Sequence, residues 1–144
     1  MKYEIRDRFQ KYPIFSVEAE TFKSAIELAL KKHINLSQAD LSRVDLSGMN
    51  LSKINLINAD LSKSNLSGAN LYGSNLSRSD LSEADLSGSN LYASDLTGAN
   101  LSNANFSKSD LSGSELAGAN LAGADFTGSD TLGAHFSPPK RLAA

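Results

Sequence analysis

Ala39-Asp40-Leu41-Ser42-Arg43, Val44-Asp45-Leu46-Ser47-Gly48, Met49-Asn50-Leu51-Ser52-Lys53: written in fives, the chain falls into register with itself. Leucine or phenylalanine stands at every fifth position from Leu36 to Phe126, Thr131 misses the beat, and Phe136 returns to it. The residue before each of these is Asp or Asn, apart from Glu115 and His135. The residue two before is small, mostly Ala or Ser. The fourth and fifth places are looser, mainly Ser followed by Gly, Lys, Arg or Asn. A fixed period sustained from Ile34 to Gly133 identifies a repeat architecture.

A period of five matches neither the 3.6 of an amphipathic helix nor the 2 of a half-buried strand. Within one unit, Ala39 and Leu41 are two apart and share a face, so Asp40 between them points outward. The remaining pair, often Ser-Gly, has to turn the chain, a task suited to glycine's access to positive φ. Each unit is then a very short extended side followed by a corner. Successive units wind into a coil, and the stacked coils bury a continuous leucine column.

The pattern resembles the pentapeptide-repeat family, whose units read roughly Ala-(Asp/Asn)-Leu-X-X. Ala39-Asp40-Leu41, Ala69-Asn70-Leu71, Ala99-Asn100-Leu101 and Ala119-Asn120-Leu121 match it without change. The resemblance covers residues 34–133 and implies an all-β solenoid. More specifically, it implies a right-handed quadrilateral β-helix with four units, and so twenty residues, per coil, about five coils in all. Ile34, Val44, Met49 and Ile54 depart from the pattern by placing large side chains where the family prefers Ala. All lie in the first coil or just beyond it, which predicts a column that is wider there or packs against additional structure.

Residues 1–33 are not repeats and are expected to form a cap. Tyr3 and Ile5 alternate with Glu4 and Arg6, and Phe15, Val17 and Ala19 with Ser16, Glu18 and Glu20, as in two half-buried strands. Gln10-Lys11-Tyr12-Pro13 between them reads as the turn of a hairpin. Thr21 is the expected N-cap of a helix. After it, Phe22, Ala25, Ile26, Ala29, Leu30 and His33 fall on one helical face. Lys31 and Lys32 end the helix where its dipole favours cations. An amphipathic helix beside a solenoid is expected to cover the open end of its own coils, which terminal caps protect.

The 144 residues amount to one domain's worth of chain. The absence of cysteine excludes disulfides and thiolate chemistry and fits a reducing cytoplasm, the expected location in a bacterial or phage-like setting. Met1-Lys2-Tyr3-Glu4 lacks the basic-then-apolar start of a secreted protein, and no apolar run is long enough to span a bilayer. No catalytic, metal-ligating or cofactor-binding residue is predicted. His33 and His135 stand a full solenoid apart and have no partner at metal-ligand spacing. The carboxylates form a ladder on a convex surface, whereas acid–base catalysis needs groups converging in a cleft. The serines recur by repetition, with no base placed to activate one.

The charge is unevenly distributed. Residues 36–80 balance, but residues 81–133 carry Glu83, Asp85, Asp95, Asp110, Glu115, Asp125 and Asp130 against Lys108 alone, a net of −6. Over roughly 12 Å of axis that density is comparable to the one charge per ~1.7 Å of duplex DNA. The resemblance implies one use for it, because the quinolone-resistance group of the family imitates duplex DNA and binds DNA gyrase. The neutral first half, and the lack of that group's C-terminal dimerisation helix, favour instead a non-enzymatic interaction scaffold that binds a protein partner, with no direct nucleic-acid or membrane contact. Ice binding would need ordered threonine ranks, and only Thr97 and Thr127 occupy the outward fourth place.

Twenty-residue stacking sharpens the expected surfaces. Tyr72 and Tyr92 fall in one outward column between Ser52 and Ser112, and with the acids Asp85, Asp95, Asp110, Glu115, Asp125 and Asp130 make up the candidate partner surface. Asp40, Asp60 and Asp80 form a column of like charges that Arg43 and Lys63 are placed to relieve. Ser74, Ser94 and Ser114 stack at an inward position, as do Ser89, Ser109 and Ser129, and need partners for their hydroxyls. After the break at Thr131, Leu132 and Phe136 are the apolar residues left to close the C-terminal end, with residues 134–144 as a tail. An incompletely covered end predicts end-to-end homodimerisation, unless Pro138, Pro139, Lys140 and Arg141 blunt it.

Overall fold

One unit, Ala69-Asn70-Leu71-Tyr72-Gly73, shows how a five-residue period becomes a structure. The computed structural model describes residues 1–137. Ala69 N–H donates to the carbonyl of Leu66 (3.1 Å), closing a local turn. Asn70 N–H donates to Met49 in the coil before (2.9 Å), and Leu71 N–H to Asn90 in the coil after (2.7 Å). Gly73 N–H also reaches the next coil, at Tyr92 (2.9 Å). The fourth donor, Tyr72 N–H, is taken by the unit's own Asn70 Oδ1 (3.0 Å). All five backbone donors are thereby satisfied, as buried or half-buried backbone requires. The second-place residue is Asp or Asn because its side chain accepts the N–H two residues on, an Asx turn that shapes the corner.

Repeating this unit builds a solenoid that advances twenty residues per turn. Rungs link Asp40, Asp60, Asp80, Asn100 and Asn120 in parallel, and the same spacing recurs from Asp45 to Asp125, Asn50 to Asp130 and Asn55 to Glu115. Glu115–Leu116 (β4) and His135–Phe136 (β5) continue the last of these ladders as paired parallel strands. The four ladders are named here A to D in that order.

The third-place leucines and first-place small residues fill the interior. Leu41, Leu46, Leu66, Leu86 and Phe106 are completely buried, as are Ala59, Ala84 and Ala104. Phe106 and Phe126 stack face to face at 5.1 Å one coil apart. Inward serines are satisfied locally: the hydroxyls of Ser64, Ser79, Ser89, Ser109 and Ser114 each donate to the carbonyl three residues back at 2.6 Å. Ser129 does the same, whereas the buried hydroxyls of Ser74 and Ser94 have no partner among the described residues.

The fifth place lies in the left-handed region throughout, but glycine does not hold it alone. Arg43 (φ 62°), Lys63 (58°), Glu83 (58°) and Ala93 (57°) adopt it as Gly48 (66°) does. The fifth-place N–H bond to the next coil holds these residues there, at a cost of roughly 1–2 kcal/mol for a side chain with a Cβ. β-Branched residues, for which the region is hardest to reach, are absent from every fifth place between Gln38 and Gly133.

Residues 1–33 form a hairpin and a helix beside the first coil. Lys2–Asp7 (β1) and Pro13–Glu18 (β2) form an antiparallel hairpin, with Pro13 starting the second strand rather than ending the turn. β1 also pairs antiparallel with Ala39–Asp40 (β3), so a strand of the cap covers the exposed edge of the first coil. Arg8 reinforces the join by donating to the carbonyl of Asn58 (3.0 Å). Phe22–Lys31 (α1) is capped by Thr21, whose side chain accepts Ser24 N–H. Ala25, Ile26 and Ala29 bury one face, with Phe22 and Leu30 at its margins, in one cluster with Val44, Met49 and Ile54 of the first coils. His33 does not complete that face: it is exposed, with φ 55°. His33 N–H bonds to Leu30 and Ile34 N–H to Ala29, the paired closure that ends a helix with a left-handed residue.

The C-terminal end differs from the sequence reading in two ways. Thr131 replaces leucine without breaking register, and Ala134-His135-Phe136 forms a further unit rather than the start of a tail. Leu132 occupies an outward fourth place and is 80% exposed, so it closes nothing. Phe136 does face the column, edge-on to Phe126 at 6.4 Å. Pro138, Pro139, Lys140 and Arg141 lie outside the described residues.

The inside–outside assignment makes a direct prediction. Leu86→Ala removes a completely buried side chain from mid-solenoid and is expected to cost about 2–5 kcal/mol in denaturant unfolding. Ser87→Ala next to it should cost under about 0.5 kcal/mol, and equal losses would refute the assignment.

Candidate functional site

The second-place side chains line the outside of the four ladders, and their charge is independent of their structural task. Asp80 Oδ1 accepts Ser82 N–H (2.9 Å) and the Ser82 hydroxyl (2.6 Å), and Asn75 Oδ1 does the same for Ser77. Asp and Asn both supply the Oδ1 acceptor, so exchanging them changes the charge while keeping the bond. This also corrects the reading of the Asp40–Asp60–Asp80 column. Its carboxylates are held by Ser42, Ser62 and Ser82, and among the described residues no ion pair joins them to Arg43 or Lys63. Lys63 instead lies 3.9 Å from Glu83 at the same corner.

The candidate surface residues divide between two places. Asp85 and Asp125 lie on ladder B. Asp110 and Asp130 lie on ladder C, and Asp95 and Glu115 on ladder D. The corner between ladders C and D carries Tyr72 and Tyr92, with Leu132 two coils further on. The structure therefore brings four acids, two tyrosines and Leu132 to one edge, while Phe136 points into the column.

The tyrosine rings are stacked, with centroids 5.7 Å apart and planes within 5°, and remain 39% and 46% exposed. Their backbone N–H groups complete the usual turn on Asn70 and Asn90. Hydrogen bonds from Thr127, by side chain and backbone, hold the Asp125 carboxyl below its ordinary range, and bonds from Ser47 do the same for Asp45. Glu115, one carbon longer than its counterparts, pairs with His135 Nδ1 in the next coil. The sequence reading missed this pair, although a Glu and a His at the two exceptional second places, twenty residues apart, marked it.

Among the described residues no group of His, Asp and Glu is arranged to hold a metal ion and no helix is long and apolar enough to cross a membrane. The surface depressions lie mainly where α1 meets the first coil, one lined by Phe22, Lys23, Arg43, Val44 and Asp45.

A family model of pentapeptide repeats matches the chain in eight copies, over residues 32–56, 54–91 and 94–130. The chain belongs to the pentapeptide-repeat family. Among solved structures it is similar to Rfr23, a pentapeptide repeat protein of the cyanobacterium Cyanothece 51142, at 38% identity and a TM-score of 0.59. That match covers 67% of this chain and 63% of Rfr23, so the chain spans just under two thirds of that protein's length. A pentapeptide repeat protein of the Arabidopsis thaliana thylakoid lumen is also 38% identical, with a TM-score of 0.63 over 67% of this chain and 68% of that one. Likeness to the plasmid-mediated fluoroquinolone resistance protein QnrB1 is slight, at 24% identity and a TM-score of 0.38 over 69% of this chain and 61% of that one. No curated protein matches the chain.

The equivalence of Asp and Asn at the second place is testable. The triple variant Asp95→Asn, Asp110→Asn, Asp125→Asn keeps every Oδ1 acceptor. Its thermal midpoint by circular dichroism should stay within about 3 °C of the parent, since the change amounts to surface substitutions of a few tenths of a kcal/mol each. A collapse of the midpoint would show that the charge itself supports the turn.

Proposed function

We propose that this chain is a non-enzymatic interaction scaffold that presents one edge of its solenoid to a protein partner. The observation that carries the reading is the C/D corner, where exposed stacked tyrosines and four carboxylates share one edge of a rigid support. In this reading the solenoid is a right-handed quadrilateral β-helix of about five coils, supported by ladders of five residues joined by four rungs each. Residues 1–33 are its cap and residues 34–133, extended to Phe136, its body. A cytoplasmic, bacterial setting is part of the proposal, resting on the lack of cysteine.

Imitation of duplex DNA toward DNA gyrase is the second reading, favoured by the net −6 of residues 81–133. It ranks lower because residues 36–80 are neutral, and because within the acidic half ladder A carries only Asn and Asn105 separates the acids of ladder B. A pull-down from bacterial lysate at low and high salt separates the two. The scaffold reading expects a discrete partner whose capture the triple Asn variant weakens. Inhibition of purified gyrase by the parent but not the variant would replace it, and no specific capture at either salt would overturn it.

The proposal includes end-to-end pairing. Leu121, Phe126 and Phe136 are only half-buried, whereas Leu101, Phe106 and Leu116 one coil earlier are buried. A second copy meeting this end would cover the apolar column. Light scattering is expected to show a dimer for the parent and a monomer for Phe136→Lys; monomers in both would show that no second copy is needed.

A further inference from the structure

The fourth place of the repeat is serine in most units, threonine or alanine in others, and its exceptions are Ile57, Tyr72, Tyr92 and Leu132. Serine there often adds a hydroxyl bond to the second-place oxygen, as Ser62 and Ser112 do. Tyrosine gives up that bond and exposes a large ring, so the fold has no need of it at either site. Three of the four exceptions share one corner, which makes that corner a specialised surface.

Its two ends differ. Toward the N-terminus the preceding coil places Lys53 at this corner, its Cγ 3.6 Å from where a Cβ on Gly73 would stand. Toward the C-terminus the next coil offers only Ser112 and Gly113, and the position of a Cβ on Gly113 is 3.9 Å from Tyr92 Cε2. Because the two rings stack along the solenoid axis, the far face of Tyr92 looks over this small-residue gap. Leu132 bounds it one coil beyond. The backbones of Tyr92 and Leu132 thus stand two coil spacings, roughly 9.6 Å, apart along the axis, with only Ser112 and Gly113 between them. Asp110 and Glu115 flank the gap within its own coil, and Asp95 and Asp130 stand on the coils either side. Asp110 is held in place by Ser112 through Oδ1. Beyond Lys53 no lysine or arginine lies between ladders C and D among the described residues.

We propose that this gap is a seat for an arginine side chain presented by a protein partner, its guanidinium stacked on Tyr92 and paired with Asp110 and with the Glu115 oxygen that His135 does not engage. The inference rests on the scaffold reading and names the chemistry of the partner. Guanidinium suits the seat better than ammonium, because it is planar, stacks on aromatic faces and engages carboxylates through a fixed fork of donors. A neutral aromatic ring would fill the gap but leave Asp95, Asp110 and Asp130 without a cation, and a membrane surface would meet their repulsion.

The test is a titration of the whole chain with a short Gly-Ser peptide carrying arginine, followed by tyrosine ring proton shifts, beside otherwise identical lysine and citrulline peptides. Arginine should bind about threefold more tightly than lysine, a difference in line with a cation–π contact at an exposed site, and citrulline should not bind measurably. Tyr92→Ser restores the repeat's own commonest residue, so the fold should persist by circular dichroism while the preference for arginine disappears. Asp110→Asn with Glu115→Gln should weaken both cationic peptides, and Asp85→Asn on ladder B should weaken neither. Equal affinity for arginine and lysine, no effect of Tyr92→Ser, or an equal effect of Asp85→Asn would each overturn the proposal. Failure here alongside specific lysate capture refutes the seat alone. Binding here with no lysate capture refutes the scaffold role and leaves the seat standing.

Discussion

Five backbone N–H groups per unit must each find an acceptor, and the rest of the molecule follows from how they do. Three are met by carbonyls in the coils before and after, one by a local turn and one by a side chain. That last bond is the reason the unit has a polar second place. An apolar residue there would leave the fourth-place N–H without its acceptor, a loss of about 1–3 kcal/mol wherever water cannot replace it. The hydrophobic column supplies the drive for the coils to stack, but the hydrogen bonds set their pitch and allow only twenty residues per turn.

Because that requirement accepts Asp and Asn equally, and leaves the fourth side chain almost unconstrained, the exterior is free to carry information. Charge can be moved from ladder to ladder without touching the column. Large residues can be set at a corner without disturbing the rungs, as Tyr72 and Tyr92 show. Function in such a fold resides in departures from the repeat, and the largest group of outward departures lies at the corner between ladders C and D.

The column, the coil length and the cap were legible in the sequence, because each is written as a period: Leu every five residues, and Ala25, Ile26 and Ala29 on a helical face. What was not legible was local and directional. The alternation of Ala39, Asp40 and Leu41 shows that Asp40 points outward, but not that its oxygen turns back to Ser42. Arg43 and Lys63 have the right sign and spacing to neutralise the aspartate column, yet their left-handed corner positions carry their side chains elsewhere. His33 fits a helical period and still falls outside the helix, because the chain closes on itself at Leu30 and Ala29. Thr131 looks like an interruption only when leucine is taken as the signal; the backbone rungs pass through it, linking Asp130 to Asp110 and His135 to Glu115.

The twenty-residue turn also gives the molecule a phase. Each residue's face is set by its number modulo twenty, so Tyr72, Tyr92 and Leu132 share a corner by arithmetic as much as by contact. An insertion or deletion of one whole turn upstream would lengthen or shorten the rod and leave every face as it was. A change of a single five-residue unit would keep the interior intact while rotating everything downstream by one side. Tyr92 would then part from Tyr72 in a protein that still folds. In this architecture, length changes come in two kinds: those that alter reach, and those that rewrite which residues are neighbours.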